Sequence, residues 1–284
     1  MSRLVFTVDT DEPKQLKNYL RGSCGVSAGL IRRLKATGGI TLNGEAARTV
    51  DIVKNGDVII LEQNESCSIE PAEALEVPVI FENDAVIVFD KPYGMPVHPS
   101  ARHRNDTLAN FFAARYPEMT FRAVNRLDKD TSGLCIAAKD AHSANILQSS
   151  VHKIYYAAVQ GSTDVSGTID APIARMNDSI ITRCVRADGR KAVTHYRKIN
   201  EKNGFSLLEI ELETGRTHQI RVHFSHAGYP LAGDDLYGGS REKIARQALH
   251  CGRMTFVCPL TKEEITVEAP LPADISELFG KEMT

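Results

Sequence analysis

The chain has 284 residues, of which 42% are hydrophobic and 25% are charged, the ordinary mixture of a globular protein. This composition excludes a collagen-like, low-complexity or largely disordered chain and supplies enough apolar side chains for a sizeable core. No run of about 18 apolar residues occurs, which argues against a membrane-spanning helix. The N-terminus meets acidic residues before any long apolar stretch, unlike a signal peptide. We therefore expect a protein of the cytoplasm with no membrane partner.

Charge is distributed unevenly along the chain, although the net charge is only −2. Residues 65–90 carry 7 acidic and no basic side chains, whereas residues 91–223 carry 19 basic and 13 acidic ones. A nearly neutral protein can therefore present a basic central face, where a polyanion would dock. Charge alone leaves ordinary surface scatter as an equal alternative.

The 6 cysteines are scattered along the chain and form no C-x-x-C pair. A structural zinc site needs clustered ligands at short spacing, so no metal is expected. The thiols are expected to be reduced and mostly buried.

Residues 1–64 have the pattern of a small α+β module. Ser27 is a typical helix cap, and apolar residues follow it at helical spacing with basic ones between them. The predicted elements are a helix at 26–35, a strand at 40–42, a tight turn at Asn43-Gly44 and a strand at 58–61. The acidic stretch that follows, residues 65–76, lacks apolar periodicity and predicts a linker.

From residue 77 to the C-terminus, strands and turn signals dominate. Strands are predicted at 86–89, 134–138, 155–159 and 205–213, a polar helix at 140–150, and hairpin turns at Asp188-Gly189 and Asn203-Gly204. In residues 205–213 apolar and glutamate side chains alternate, as in a half-buried antiparallel strand. Residues 77–284 are therefore expected to form an α+β domain with a mixed, mainly antiparallel sheet and flanking helices.

No phosphate-binding or dinucleotide-binding loop, zinc-protease motif or nucleophile elbow occurs, so the sequence gives no support for a cofactor. Two short segments instead crowd polar residues between apolar ones, at 125–133 and 215–223. Such groups are costly near a core unless they bond one another or a ligand. In the second segment a glycine leads into a predicted helix that would carry Thr217 and Arg221 on one face. A self-satisfied turn network remains the alternative to a binding site.

Four motifs follow one another along the chain: D-K-P-x-G-M-x-V-H-P at 90–99, R-L-D-x-x-T-S-G at 126–133, K-x-Y-x-A with a later glycine at 153–161, and G-R-T-H-Q-I-R-V-H with further glycines at 215–238. Together they resemble the RluA-type family of pseudouridine synthases. The resemblance implies an enzyme that breaks the N-glycosidic bond of a uridine in RNA, rotates the base and rejoins it through carbon 5, without a cofactor. One departure is Asn125, where many members have histidine; asparagine still offers a donor and an acceptor.

The resemblance also implies roles for individual residues. Asp128 falls on the catalytic aspartate, which acts as a nucleophile or as the base of an elimination; the sequence leaves both open. Arg221 falls on the arginine that pairs with this carboxylate and favours its ionised form. Tyr155 falls on the aromatic residue that packs against the target base. The neighbouring Tyr156 is expected on the opposite face of its strand.

Other residues are implied to hold the RNA. Arg126 falls on the arginine that fills the space left by the extruded uridine, and extrusion is required because the glycosidic bond is unreachable within a stack. Arg216 and His218 are expected to shape their turn and bind phosphate.

The first 64 residues are similar to a small RNA-binding module that is often fused to these enzymes. Its helix would present Arg32, Arg33 and Lys35 to RNA. An ordinary solvated basic helix is the alternative interpretation.

The expected partner is therefore structured RNA, ribosomal or transfer, bound by a monomer. An RNA-binding assembly factor with an inactive synthase domain is an alternative, but the intact set of site residues argues against it. A glycoside hydrolase using Asp128 and Asp130 is a further alternative. The chain has no tryptophan to form a sugar platform, which disfavours it.

Overall fold

A small antiparallel sheet with two helices forms the N-terminal part of the protein. The computed structural model describes residues 2–63, 69–177, 179 and 181–280, and within them this sheet has four strands in the order β1-β6-β3-β4. The elements are β1 (Ser2–Thr7), β2 (Lys14–Gln15), α1 (Leu16–Gly22), α2 (Ala28–Thr37), β3 (Ile40–Leu42), β4 (Glu45–Ala46), β5 (Ile52–Val53) and β6 (Val58–Gln63). Strands β2 and β5 pair separately. The N-terminal part has its own hydrophobic core, in which Leu30, Ile31 and Leu34 of α2 are buried.

The rest of the chain is organised around one large, mainly antiparallel sheet. Its elements are β7 (Val79–Glu82), β8 (Val86–Lys91), α3 (Leu108–Arg115), β9 (Ser132–Ala138), α4 (Ala141–Leu147), β10 (His152–Gln160), β11 (Ser166–Asp170), β12 (Ile173–Arg175), β13 (Arg183–Val185), β14 (Val193–Lys202), β15 (Phe205–Leu212), α5 (Gln219–His226), β16 (Leu249–Val257), β17 (Glu264–Glu268) and α6 (Ala273–Ser276). The strand order is β11-β14-β15-β10-β16-β9-β8-β7, with β17 beside β16. This arrangement confirms the predicted fold class.

The centre of the sheet holds its one parallel pairing within the described residues, between β9 and β16. Every residue of β9 is buried, as expected of a strand covered on both faces. Because β16 pairs with β9 on one side and β10 on the other, the loop that enters β9 lies near the middle of β10. The polar segment 125–131 precedes β9, so the sheet places this segment over Tyr155.

Most predicted elements are confirmed. The Ser27 side chain caps α2 by accepting the Leu30 N–H at 3.2 Å. Asn43 and Gly44 both have positive φ, as a tight hairpin turn between β3 and β4 requires. Strands β14 and β15 form the hairpin predicted at Asn203-Gly204.

Two local predictions are wrong. Asp188-Gly189 forms a turn, closed by the Gly189 N–H on the Arg186 carbonyl at 2.8 Å, but it is not a hairpin. The chain beyond it bridges back to Ile173 and then enters the large sheet, where β14 pairs with β11 and β15 rather than with β13. Thr217 does not share a helical face with Arg221, because the left-handed backbone of His218 delays the start of α5 to Gln219.

The predicted linker, residues 65–76, is described only from Ile69 onward. There the chain packs on the large sheet's core through Ile69 and Leu75. Asn110 of α3 donates a hydrogen bond to the Glu70 carbonyl at 2.7 Å. The second half of this segment is therefore attached to the C-terminal part rather than extended between the two parts.

The two parts also touch through α4. Asn145 donates to the Gly25 carbonyl at 3.1 Å, and the rings of Phe6 and His142 meet edge to face at 5.4 Å. Across the described ranges, no helix is long and apolar enough to cross a membrane. The described cysteines are all free thiols: Cys24, Cys135, Cys184, Cys251 and Cys258; Cys67 lies outside the described residues.

Gly133 is a point at which the fold tolerates no side chain. Its φ is +104°, and a Cβ placed on it would lie 2.3 Å from the Cys251 carbonyl oxygen on β16. We expect Gly133→Ala to lower the free energy of unfolding by about 2–4 kcal/mol, since it combines backbone strain with a backbone clash. Urea unfolding followed by circular dichroism measures this.

Gly215→Ala is the matched control, because nothing lies within 4 Å of a Cβ there and its φ is not positive. It should change the free energy of unfolding by less than about 0.5 kcal/mol. Equal effects of the two substitutions would contradict the close approach of β9 to β16.

Candidate active site

Asp128 lies on the loop that enters β9, and buried cations hold the backbone of this loop. The Thr131 N–H closes a turn on the Asp128 carbonyl at 3.1 Å. The Lys91 ammonium, fully buried, donates to the Lys129 carbonyl at 3.1 Å and to the Met95 carbonyl at 2.7 Å. Burial lowers the pKa of Lys91 to about 8. Lys91 thus holds the loop through its peptide groups, and the Asp128 side chain faces the groove instead.

A second buried cation, Arg246, supports the same loop from the C-terminal side. Its guanidinium makes a two-pronged pair with Asp274 of α6 at 2.7 and 2.9 Å. It also donates to the Asp130 carbonyl at 3.3 Å and lies 4.7 Å from the centre of the Tyr93 ring. The end of the chain is in this way tied to the loop that carries Asp128.

Arg221 of α5 is the ionic centre of the site. Its Nε and Nη2 donate to the two carboxylate oxygens of Asp234 at 2.7 and 2.8 Å, and its Nη1 donates to Asp128 Oδ2 at 3.1 Å. The Asp234 side chain is 1% exposed, that of Arg221 7% and that of Asp128 29%. Burial by itself would lower the pKa of Arg221, but hydrogen bonds and charge from Asp234 and Asp128 outweigh it and raise the pKa above its usual value.

Tyr155 of β10 closes the floor of the site. Its side chain is buried, and its strand position lies opposite Cys251 of β16. Burial raises the pKa of Tyr155 well above its ordinary value, and the neighbouring Cys251 and Asp128 act in the same direction. The phenol is therefore neutral and presents its ring beside the carboxylate. Tyr156 points to the other face of β10, where burial raises the pKa of its phenol.

Asp128 and Tyr155 line a small cavity of about 70 Å³, together with Arg221. Both residues also line a groove of about 770 Å³, which Arg126, Arg216 and His218 border as well. A groove of this volume is within the range that holds a ligand the size of a nucleotide. The sequence predicted nine site residues, and the structure places five of them around this groove. A sixth, Arg221, lines the small cavity next to it.

The remaining three, Arg32, Arg33 and Lys35, lie elsewhere. All three are exposed on α2, and none of them lines the groove. Arg32 and Lys35 border a separate cavity of about 230 Å³ with Lys17 and Arg21. These four basic side chains therefore form a surface separate from the groove.

Three further side chains lie near Asp128. Arg216 donates from Nε to the Lys191 carbonyl at 3.0 Å, which holds it against the start of β14. His218 places Nε2 3.7 Å from Asp128 Oδ2. Asn125 donates to the Leu134 carbonyl at 3.2 Å and accepts the N–H of Ile136 at 2.9 Å, so it joins its loop to β9 at the edge of the groove.

Sequence reasoning missed Asp234, Lys91 and Tyr237 as parts of the site. Each lies within a stretch that carried the family resemblance, at 90–99 or 215–238, but the sequence there does not show which residue it contacts. For Lys91 and Asp234 the available signal was a charged residue beside apolar ones, since a buried charge requires a partner. In the part of the chain that the structure describes, no three His, Cys, Asp or Glu side chains cluster so as to hold a metal ion.

Comparison with known proteins places the chain in a family. The model of the family described as RNA pseudouridylate synthase matches residues 85–226. The RNA pseudouridine synthase YjbO of Bacillus subtilis, whose name records it as uncharacterised, is 41% identical over 94% of this chain and 99% of its own length. The ribosomal large subunit pseudouridine synthase D of Pseudomonas aeruginosa is 39% identical over 86% of this chain and 83% of its own.

A solved structure shows the same fold. The human RNA pseudouridylate synthase domain containing 1 protein superimposes with a TM-score of 0.59 at 24% identity, covering 71% of this chain and 86% of its own. The chain belongs to the RNA pseudouridine synthase family, of the RluA type, and is an isomerase of that class.

The pairing of Arg221 with Asp234 is expected to be essential to stability, because removing the charge of one partner leaves the other buried and uncompensated. Asp234→Asn should lower the free energy of unfolding by about 3 kcal/mol or more. Chemical unfolding monitored by circular dichroism measures the change.

The neighbouring residue supplies the control. Asp235 pairs with Arg241 at 2.8 Å, but both side chains are more than half exposed. Asp235→Asn should therefore cost less than about 1 kcal/mol. If Asp234→Asn is equally mild, Arg221 does not depend on Asp234.

Proposed function

We propose that this protein isomerises uridine to pseudouridine in RNA of the large ribosomal subunit, with Asp128 as the catalytic carboxylate. The observation that carries the proposal is the Arg221 guanidinium, which is anchored on Asp234 and donates to Asp128 at 3.1 Å beside the buried Tyr155. The choice of RNA follows from the relatives named as ribosomal large subunit synthases, which this chain matches along most of its length.

The reaction makes limited demands on the protein. The bond between N1 of the base and C1′ of the sugar breaks, a bond between C5 and C1′ forms, and the hydrogen on C5 leaves as a proton while N1 gains one. Atoms and electrons balance without an oxidant or reductant. Asp128 either attacks the sugar or removes a sugar proton; in both cases it must be ionised, which the adjacent Arg221 favours.

Tyr155 and Arg126 have separate roles in this proposal. The Tyr155 ring provides a flat apolar surface against which an extruded uracil stacks at the floor of the groove. Arg126 is exposed at the rim, where its guanidinium takes the place of the uridine in the RNA stack. Arg216 and His218 border the same groove, where Arg216 contacts a phosphate that flanks the extruded nucleotide.

The N-terminal part, residues 1–64, acts as an RNA-binding module joined by residues 65–76 to a catalytic domain at 77–284. In support, the two parts have separate hydrophobic cores, and Arg32, Arg33 and Lys35 are exposed together on α2. In this proposal the protein acts as a monomer. The protein acts in the cytoplasm, where ribosomal RNA is found.

Catalysis is tested with RNA that carries tritium on uridine carbon 5, because forming the new carbon–carbon bond must release that tritium to water. Wild-type protein should release it from large-subunit ribosomal RNA and not from small-subunit or transfer RNA. Asp128→Asn should abolish release while RNA affinity stays within about threefold, since the amide has nearly the shape of the carboxylate but no charge.

Asp130→Asn is the matched control, two residues further along the same loop. It should retain most of the wild-type rate, because this loop is held through the Asp130 carbonyl and not through its carboxylate. Release by Asp128→Asn at the wild-type rate would refute the assignment of the catalytic residue. Release from another RNA class alone would refute the proposed target.

The role of α2 is tested by replacing Arg32, Arg33 and Lys35 together with alanine. Each phosphate contact contributes close to one unit to the slope of log affinity against log salt concentration, so the slope should fall by about 2–3. Filter binding at several salt concentrations measures it. Replacing the exposed Arg241 and Lys243, which do not line the groove, should leave the slope unchanged; an equal loss in both variants would contradict a specific role for α2.

A further inference from the structure

The Tyr237 hydroxyl occupies the junction between the β12–β13 hairpin and the active site. Its oxygen accepts the backbone N–H of Arg183, the first residue of β13, at 2.9 Å. The same oxygen lies 2.8 Å from Nδ1 of His218. The Tyr237 ring meets the His218 ring edge to face at 5.7 Å, and the centre of the Arg221 guanidinium lies 5.0 Å from its centroid. One side chain thus touches the hairpin, the histidine and the ionic centre.

These hydrogen bonds determine where the proton of His218 lies. A phenol has one proton to donate, and the Tyr237 oxygen already accepts from Arg183. Among the described residues the other partner of the hydroxyl is Nδ1 of His218, which can either accept the phenol proton or donate to the second lone pair of the oxygen. The Asp128 carboxylate, whose Oδ2 lies 3.7 Å from Nε2, favours the tautomer with its proton on Nε2, so the phenol donates to Nδ1. A neutral imidazole whose Nδ1 accepts must carry its own proton on Nε2. That N–H is the one nearest Asp128, 3.7 Å from Oδ2.

The backbone holds the His218 ring in this place. His218 has a φ of +57°, a left-handed conformation that non-glycine residues adopt rarely and that persists only where surrounding contacts enforce it. It immediately precedes α5, so the strained residue and the helix that carries Arg221 are set by the same turn. Strain of this kind next to a reactive group is typical of a functional site.

The charges facing His218 favour its neutral form. Burial is the largest cause that lowers the pKa of His218 below its ordinary value. The positive charges of Arg221 and Arg183 lower it further, while Asp128 and Asp234 oppose them. Tyr237, the remaining titratable neighbour, is itself uncharged because burial raises the pKa of its phenol.

We propose that Tyr237 and His218 are a pair of positioning residues: the Tyr237 hydroxyl, held by the β12–β13 hairpin, orients a neutral His218 so that it presents an N–H to the Asp128 carboxylate. This inference rests on the proposed function. An uncharged donor helps to aim Asp128 without adding a second full positive charge next to Arg221. A protonated His218 would place that charge 3.7 Å from the carboxylate oxygen and weaken it as a nucleophile or base.

The test removes the hydroxyl and keeps the ring, in Tyr237→Phe. A donor to the lone pair of a neutral imidazole stabilises the neutral form, so its loss should raise the pKa of His218. Nuclear magnetic resonance of protein labelled at histidine measures this directly, with the His218 signal assigned by its absence in His218→Asn. The readout requires no RNA and no turnover, and therefore separates this inference from the proposed function.

A higher pKa of His218 should also change the pH dependence of catalysis. Wild-type tritium release should decline at acidic pH as His218 becomes protonated, and the midpoint of this decline should lie at higher pH in Tyr237→Phe. At neutral pH the variant should lose about fivefold in kcat, the worth of one ordinary hydrogen bond, with KM within twofold. His218→Asn keeps a residue type that tolerates the left-handed backbone and should lose this acidic decline.

Tyr196→Phe is the matched control, because the Tyr196 hydroxyl makes no hydrogen bond in the described part of the chain. It should leave the His218 titration and the pH profile unchanged. An unaltered His218 titration in Tyr237→Phe would overturn the inference whatever the activity does. A shifted titration with an unshifted pH profile would overturn it as well, since the histidine would then not act on Asp128.

Discussion

The site depends on one buried guanidinium, that of Arg221, shared between two carboxylates. Asp234 takes two of its N–H groups and is almost wholly buried, whereas Asp128 takes one and remains partly exposed. A buried arginine is tolerable only when paired, so Asp234 is the partner that keeps it in place. Because Asp234 takes two of the guanidinium N–H groups, Arg221 holds Asp128 through a single hydrogen bond. Asp234 therefore has a structural role, whereas Asp128 remains accessible to a substrate.

The backbone around Asp128 is prepared in a similar way. Lys91 and Arg246 are buried cations that donate to the carbonyls of Lys129 and Asp130, the two residues that follow Asp128. Cations that bind carbonyl oxygens fix a loop without occupying its side chains. A carboxylate on a loop held in this manner loses little entropy when substrate arrives, which is the physical advantage of a preorganised site.

In the proposed function, RNA is bound by two separate basic surfaces of the molecule. Arg126, Arg216 and His218 border the groove over Asp128, whereas Arg32, Arg33 and Lys35 lie on α2 and line no part of it. Under the proposed function, two local basic surfaces would let a chain with a net charge of −2 bind a polyanion. Local fields matter at the distances over which charges remain unscreened, about 10 Å at ordinary salt, and the total charge does not report them.

The sequence by itself determined the local structure, that is, helix caps, turns and strand patterns. The Ser27 cap of α2, the Asn43-Gly44 and Asn203-Gly204 turns and the alternation of β15 depend on neighbouring residues, so periodicity and turn chemistry predict them. The order of the four motifs likewise identified the family and proposed Asp128, Arg221 and Tyr155 before any contact was known. These inferences require only which residues follow one another.

The tertiary structure decided the contacts between distant segments. The Asp188-Gly189 turn leads into another sheet instead of closing a hairpin, because the long-range pairing of β14 outweighs its local signal. Three contacts form only when β9, β16 and α5 come together in the folded protein. They join Asp234 to Arg221, Lys91 to the loop that carries Asp128, and Tyr237 to His218. Partners of buried charges are selected by proximity in space, and nothing in local sequence encodes which of several aspartates an arginine will meet.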